Sequence, residues 1–152
     1  MKFYLSVLLL VFISCSKKDN ISPEYNISQV SGNYKGGTLY WQKTTGGTTT
    51  NGTDANFTFS VLYLGNDSVK LTINTTAPIT TKVYVIPLSG TQEVTQSKLY
   101  AFSTTIPYMG ITLVVQLAVT IYADSSSPTN GSFTFGYRNN GPEYFEGIGN
   151  QY

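Results

Sequence analysis

From about Val30 onward, apolar residues recur at every second position, and this alternation constrains the fold more than any other feature of the chain. Successive side chains of a strand point to opposite sides of a sheet, so a period of two is typical of a strand with one buried face. Phe57 and Phe59 share one face of such a segment, and Thr58 lies on the other. No segment has a helical period of useful length. The sequence therefore predicts an all-β protein.

Eight segments are predicted to be strands, and short turns join most of them. They span about residues 33–43, 57–63, 69–73, 81–86, 98–106, 111–123, 133–137 and 143–149. Gly65-Asn66-Asp67 predicts a tight turn, because Gly and Asn tolerate positive φ at little steric cost. Pro87 is expected to end the fourth strand. The Gly- and Thr-rich segment Thr44–Asp54 is predicted to be a mobile loop and a candidate lid.

Eight alternating strands can bury one apolar face as a two-sheet β-sandwich or as one sheet closed into a barrel. The short turns favour an antiparallel meander, and closure removes the unpaired edges. We therefore expect an eight-stranded up-and-down barrel, with the sandwich as the alternative. A transmembrane barrel shows the same alternation, but most of the strands are shorter than the roughly 9 to 11 residues that such a span needs.

The first residues predict export. Lys2 precedes an apolar run of 11 residues, 3–13, which is short for a membrane span of roughly 18 residues or more. The segment Phe12-Ile13-Ser14-Cys15 resembles the lipobox of bacterial lipoproteins, which implies cleavage after Ser14 and acyl chains on Cys15. A plain signal that leaves Cys15 as a free thiol is the alternative. We expect a signal peptide at 1–14, a lipidated flexible tether at 15–28 and a single β-barrel domain at 29–152.

The residues directly after Cys15 indicate where in the cell envelope the protein is located. Ser16-Lys17-Lys18-Asp19 is similar to the charged signals that send lipoproteins of Bacteroidota-type bacteria to the cell surface. The resemblance implies a lipid anchor in the outer membrane, with the domain on the periplasmic face or on the cell surface.

Residues 31–41, SGNYKGGTLYW, resemble the opening strand of the calycin-like or lipocalin-like barrels of small secreted lipoproteins. In those families a Gly-x-aromatic element begins the first strand, and the aromatic ring plugs the closed end of the barrel. The resemblance implies this role for Tyr34, where true lipocalins have tryptophan. It also implies that Arg138 stacks on that ring through a cation–π contact and forms a barrel-closing pair with it. A solvated strand end is the alternative for Arg138.

Catalytic groups are few. The chain has no histidine and one cysteine, which removes the commonest general base, the commonest metal ligand and any internal disulfide. Asp54, Asp67 and Asp124 fall in predicted loops or turns, and Glu143 and Glu146 are expected on opposite faces of one strand. The formal net charge of +1 argues against nucleic acid as a partner. We expect no catalysis, no cofactor and no metal.

The aromatic residues are the main candidates for binding. Inward-facing rings either pack into a core or line an apolar pocket. The candidates are Tyr34, Phe57, Phe59, Phe133, Phe135 and Tyr137. Trp41, at the far end of the first strand, is the best candidate for direct ligand contact at the barrel mouth. The sequence thus predicts non-catalytic binding of a small apolar or amphipathic ligand at this mouth.

The alternative function is an interaction or adhesion module with a filled β core that contacts protein or glycan. It predicts an outward patch of aromatic side chains. The candidate residues are Tyr40, Tyr84, Tyr100 and Tyr122.

Overall fold

The computed structural model describes residues 24–76, 82–108, 110–124, 129–136 and 143–152. Within these ranges the chain forms one short 3-10 helix, η1 (Ile27–Val30), and ten strands. The strands are β1 (Gly32–Lys35), β2 (Leu39–Thr45), β3 (Thr48–Asp54), β4 (Thr58–Gly65), β5 (Ser68–Asn74), β6 (Lys82–Val94), β7 (Ser97–Tyr108), β8 (Ile111–Tyr122), β9 (Asn130–Gly136) and β10 (Glu143–Gln151).

Eight of the strands form a closed antiparallel barrel. Strands β4 to β10 are neighbours in chain order, as in a meander. Strand β1 closes the barrel, since Tyr34 lies opposite Phe59 of β4 on one side and opposite Gln151 of β10 on the other. The hairpin β2–β3 lies outside the barrel, with β2 paired to the first half of β10. The predicted eight-stranded barrel is confirmed, and the alternative of a two-sheet sandwich is wrong.

The first predicted strand, 33–43, is divided in two. Gly36 has a φ of +92°, which favours glycine, and a Cβ on Gly37 would overlap the carbonyl oxygen of Ile148. The break lets β1 stay between β4 and β10 while β2 continues along β10 and leaves with β3. A period-two pattern does not reveal such a break, because the alternation resumes after it.

The prediction that Thr44–Asp54 is a mobile loop is wrong. Residues 48–54 form β3, which pairs with β2 from Leu39↔Asp54 to Thr45↔Thr48. Gly46 and Gly47, with φ of +58° and +82°, make the turn between them. Threonine is β-branched and favours strands, so a Thr-rich segment beside a Gly-Gly turn is a hairpin rather than a lid.

The fourth predicted strand does not end at Pro87. Strand β6 continues through Pro87 to Val94. The first half of β6 pairs with β5 as far as Ser68↔Pro87. From Leu88 onward β6 pairs with β7, with a register shift between Leu88 and Gly90. Because the proline lies where one of its two neighbouring strands ends, its missing N–H interrupts little of the ladder.

The predicted turn at Gly65-Asn66-Asp67 is confirmed. Asn66 and Asp67 have φ of 48° and 53°, and β4 and β5 pair on either side of them. Positive φ at two successive central residues is the geometry of a type I′ hairpin, which matches the twist of the strands.

Aromatic rings make up much of the core among the described residues. The largest fully buried aromatic side chains are Tyr34, Phe57, Phe59, Phe102, Phe135 and Phe145. The rings of Phe135 and Phe145 stack at 4.4 Å between centroids, those of Tyr34 and Phe59 stack at 4.6 Å, and Phe133 meets Phe59 edge-on at 5.1 Å. Offset stacks and edge contacts are favoured arrangements for rings, so the packing adds stability beyond the buried area.

Glycines on β9 and β10 make room for these rings. A Cβ on Gly147 would lie 2.9 Å from ring atoms of both Phe133 and Phe57, and a Cβ on Gly131 would lie 3.0 Å from the ring of Phe59. The rings of one wall therefore lie directly on the backbone of another. Any side chain at these positions competes with a ring for the same space.

This packing predicts that Gly147→Ala lowers the free energy of unfolding by about 1 to 3 kcal/mol, as overpacking of a filled core does. The measurement is urea unfolding followed by circular dichroism. Gly90→Ala is the control, because a Cβ at Gly90 meets no atom within 4 Å. Equal stability of the two variants would contradict the contact between rings and backbone.

Candidate functional site

One end of the barrel is closed by the residues before β1. Val30 is fully buried, and the Tyr34 hydroxyl donates a hydrogen bond of 2.6 Å to its carbonyl oxygen. The Tyr100 hydroxyl donates to the carbonyl oxygen of Tyr25 at 3.2 Å. Burial raises the pKa of the Tyr34 phenol well above its usual value, so this donor stays protonated. Residues 24–28, the last part of the predicted tether, therefore include contacts with the barrel.

The resemblance to calycin-like barrels implies that the Tyr34 ring plugs this end of the barrel. Its described ring partner is Phe59, stacked at 4.6 Å. Arg138, the other member of the expected barrel-closing pair, and Tyr137 lie outside the described residues, as does Cys15. Those three assignments stay predictions.

The structure brings together the four phenylalanines predicted as ligand-binding residues. Phe57, Phe59, Phe133 and Phe135 are each at most 2% exposed. Phe57 lies 6.2 Å from Phe59 and 6.0 Å from Phe133 between ring centroids. These rings therefore contact one another in the described part of the core.

Trp41 lies toward the opposite end, on β2. It is partly buried and packs against the core, and its register partners are Phe145 on β10 and Gly52 on β3. A Cβ on Gly52 would lie 2.8 Å from the indole ring, so the ring covers the backbone of β3. Trp41 therefore joins the external hairpin to the barrel, and part of the ring remains exposed.

A charged pair lies at the same end. The Lys82 ammonium is 3.2 Å from Oε2 of Glu143, which is buried with 8% exposure. Lys82 Nζ also lies 5.9 Å from the centroid of the Phe135 ring. A buried carboxylate needs a compensating charge, and Lys82 supplies it here.

Two of the four tyrosines expected on the outer face point inward instead. Tyr84 stacks on Phe135 at 5.6 Å, and Tyr100 is 4% exposed. On β6 the two neighbours of Tyr84, Val83 and Val85, are exposed at 56% and 59%. A tyrosine ring buries more apolar surface than a valine, so the face that carries the ring turns to the core. Tyr40 and Tyr122 are not in the core, so the predicted four-tyrosine patch does not form.

Asp54 fixes the base of the external hairpin. Its carboxylate is 5% exposed and accepts hydrogen bonds from the Asn56 amide at 2.9 Å, the Thr75 hydroxyl at 2.6 Å and the Thr76 amide at 2.7 Å. Burial acts to raise the pKa of Asp54, but these hydrogen bonds outweigh it and lower the pKa to about 2. The carboxylate thus ties the end of β3 to the residues that follow β5.

The outer wall carries two adjoining grooves of about 270 and 380 Å³. Both include Ser132, Phe133 and Thr134 of β9 in their lining. The first extends over β8 and β7, and the second extends over β10 and β2. Together they form a surface, here called the outer groove, that crosses five strands.

The register places polar side chains in a row along the outer groove. This row consists of Tyr40, Glu146, Thr134, Gln116 and Ser103, each opposite the next on the neighbouring strand. A parallel row consists of Ile148, Ser132, Ala118 and Ala101. Neighbouring strands are about 4.8 Å apart, so the polar row is about 19 Å long.

Tyrosine contacts hold the carboxylate of the polar row. The Tyr144 hydroxyl donates a hydrogen bond of 2.5 Å to Oε2 of Glu146, and the rings of Tyr40 and Tyr144 lie 6.1 Å apart. Glu143, three residues before Glu146, is on the inner side of the wall, where it pairs with Lys82. The predicted placement of the two glutamates on opposite faces is confirmed.

Tyr40 and Glu146 are candidates from the sequence, but the sequence does not show that they are neighbours in the polar row. Ser103, Gln116 and Thr134 look like ordinary outward residues of a solvated strand. Alternation assigns each residue to a face, but the row depends on the register between strands. That register is set by turns and bulges across the whole barrel.

Comparison of the chain with protein-family models, curated proteins and solved structures finds no match. Across the described ranges, no helix combines the length and apolar character needed to cross a membrane. The same ranges contain no group of three or more His, Cys, Asp or Glu residues arranged to hold a metal ion.

The contacts of Asp54 predict an acid-dependent loss of stability. Asp54→Asn replaces one accepting oxygen with a donor, which should lower the free energy of unfolding at neutral pH by about 1 to 3 kcal/mol. The native pKa of Asp54 is depressed, so its contribution is present above the usual value of 3.8 and is lost as the pH falls through about 2. The difference between wild type and Asp54→Asn should shrink over that window in urea unfolding. Asp67→Asn, in the β4–β5 turn, is the control, and a difference that is constant with pH would contradict the assignment.

Proposed function

We propose that this protein is a lipid-anchored, non-catalytic binding protein of the bacterial cell envelope, whose partner docks in the outer groove. The lipobox-like segment that ends at Cys15 supports anchoring in the outer membrane, on the periplasmic face or at the cell surface. The observation that carries the proposal is the outer groove itself, two adjoining grooves that share Ser132, Phe133 and Thr134 on the outside of a barrel with buried rings in its core.

The core packing argues for a partner outside rather than inside. An eight-stranded barrel has space either for its own side chains or for one small ligand. Phe59 and Phe133 lie in ring contact at 5.1 Å and are at most 2% exposed, and Gly147 brings the backbone of β10 against Phe133. A ligand in this space has to separate rings that stabilise the fold.

The arrangement of carboxylates supports a role without catalysis. An acid and base pair has to reach one substrate from the same cavity. Glu143 is inside the wall with Lys82, whereas Glu146 is outside with Tyr144. Asp54 holds three hydrogen bonds at the base of the hairpin. Each of these groups has a structural partner.

A second candidate is a small apolar or amphipathic ligand at the Trp41 end of the barrel. The observation in its favour is the partly exposed indole beside an aromatic set, with Phe145 as the register partner of Trp41. This candidate needs space among side chains that contact one another. Binding in the outer groove therefore remains the first candidate function.

Photo-crosslinking in the bacterium tests the proposal. The benzophenone amino acid is introduced singly at Thr134 in the outer groove, at Trp41 at the barrel end, and at Gln92, an exposed residue of β6 outside the groove, as the control. The full-length, lipidated protein is expressed in its host, irradiated and examined by immunoblot. We expect high-mass adducts from Thr134 and at most a trace from Gln92.

Adducts or bound small molecules that arise from Trp41 alone would overturn the proposal in favour of the second candidate. Equal adducts from Thr134 and Gln92, or none from either, would also contradict it, because the outer groove would then have no preferred partner.

A further inference from the structure

We infer that the outer groove binds a neutral carbohydrate chain laid across strands β2, β10, β9, β8 and β7. This inference rests on the proposed function and names the chemical class of its ligand.

The polar row has the groups that recognise sugar hydroxyls. Glu146 and Gln116 have planar side chains that accept hydrogen bonds, and Gln116 also donates them. Thr134 supplies a hydroxyl between them, opposite both residues in the sheet register. One oxygen of Glu146 accepts from Tyr144, which fixes the plane of a carboxylate that retains further acceptor capacity. A fixed acceptor binds a polyol without first losing side-chain entropy.

Tyr40 provides an aromatic surface at one end of the row. It is half-buried, and its ring is tilted against Tyr144 at 6.1 Å, which restricts its orientation. An amphipathic ring with one apolar face and one hydroxyl suits the apolar face and polar rim of a pyranose. The exposed side chain of Ile148, in the parallel row, extends this apolar area.

The charge of the groove selects a neutral ligand. Glu146 is the single charged residue among the described side chains that line it. Binding of a phosphate, sulfate or uronate needs cationic partners, most often Arg or Lys. A carboxylate in the middle of the row repels such anions. An uncharged sugar chain meets no such penalty.

The pairing of the strands argues against a peptide as the ligand. Peptides that add to a sheet need an unpaired edge, and β8, β9 and β10 are each paired on both sides. Side-chain recognition of a peptide needs pockets, whereas Ala101, Ala118 and Ser132 make a shallow floor. A polar row of about 19 Å suits an extended polyhydroxylated chain.

The test uses the mature chain with Cys15→Ser, which removes the site of acylation. It is screened on an array of neutral and acidic glycans, and maltoheptaose, cellohexaose and mannohexaose are then titrated by calorimetry with hexagalacturonate as the acidic comparison. We expect binding of neutral glycans. Tyr40→Ala and Gln116→Ala should each weaken it at least tenfold. The matched controls Tyr122→Ala and Gln92→Ala, exposed strand residues outside the groove, should leave it unchanged, with thermal melts verifying that every variant folds.

Binding of acidic glycans alone, binding of none, or equal loss in the groove variants and their controls would overturn the inference. The Thr134 adduct separates this failure from failure of the proposed function. An adduct whose high mass is lost on periodate oxidation supports the carbohydrate. An adduct that resists periodate and yields tryptic peptides of a second protein keeps the outer groove as a binding site and rejects its carbohydrate ligand.

Discussion

The contact of aromatic rings with bare backbone inside the barrel is the interaction on which the rest of the structure depends. Phe57, Phe59 and Phe133 lie against glycines of β9 and β10, at distances where a methyl group finds no space. This close approach lets eight strands close around large rings and leaves the apolar surface of the rings in contact with protein. Burial of apolar area is the main favourable term in folding, so closure and ring packing stabilise each other.

The two sides of the wall differ chemically. Alternation sends rings and branched aliphatic side chains inward, whereas the outer groove on β2, β10, β9, β8 and β7 has a row of polar side chains beside a row with Ile148, Ala118 and Ala101. On β10 this separation is complete within four residues, from the inward Glu143 to the outward Glu146. The inner face determines stability, and the outer face offers an ordered surface whose side chains are held at sheet spacing. The proposed binding role follows from this rigid presentation.

Much of the fold is predictable from alternation alone. The features that differ from the predictions do so for identifiable physical reasons. The β4–β5 hairpin and β8 follow from strict alternation and a turn whose residues tolerate positive φ. Strand β3 is hidden because its residues are polar on both faces, so it carries no period. Tyr84 and Tyr100 are assigned to the wrong face where tyrosine competes with valine or leucine for the core. The outer groove could not be predicted, because it depends on register between strands that are distant in sequence.

A titration of the mature Cys15→Ser chain with N-phenylnaphthylamine, a fluorescent apolar probe, tests the filled interior most directly. Because the rings occupy the barrel, we predict no saturable, equimolar rise in fluorescence. A saturable equimolar site that is lost when Phe133→Trp enlarges a core ring would contradict this account, since it would require a cavity where the structure has rings in contact.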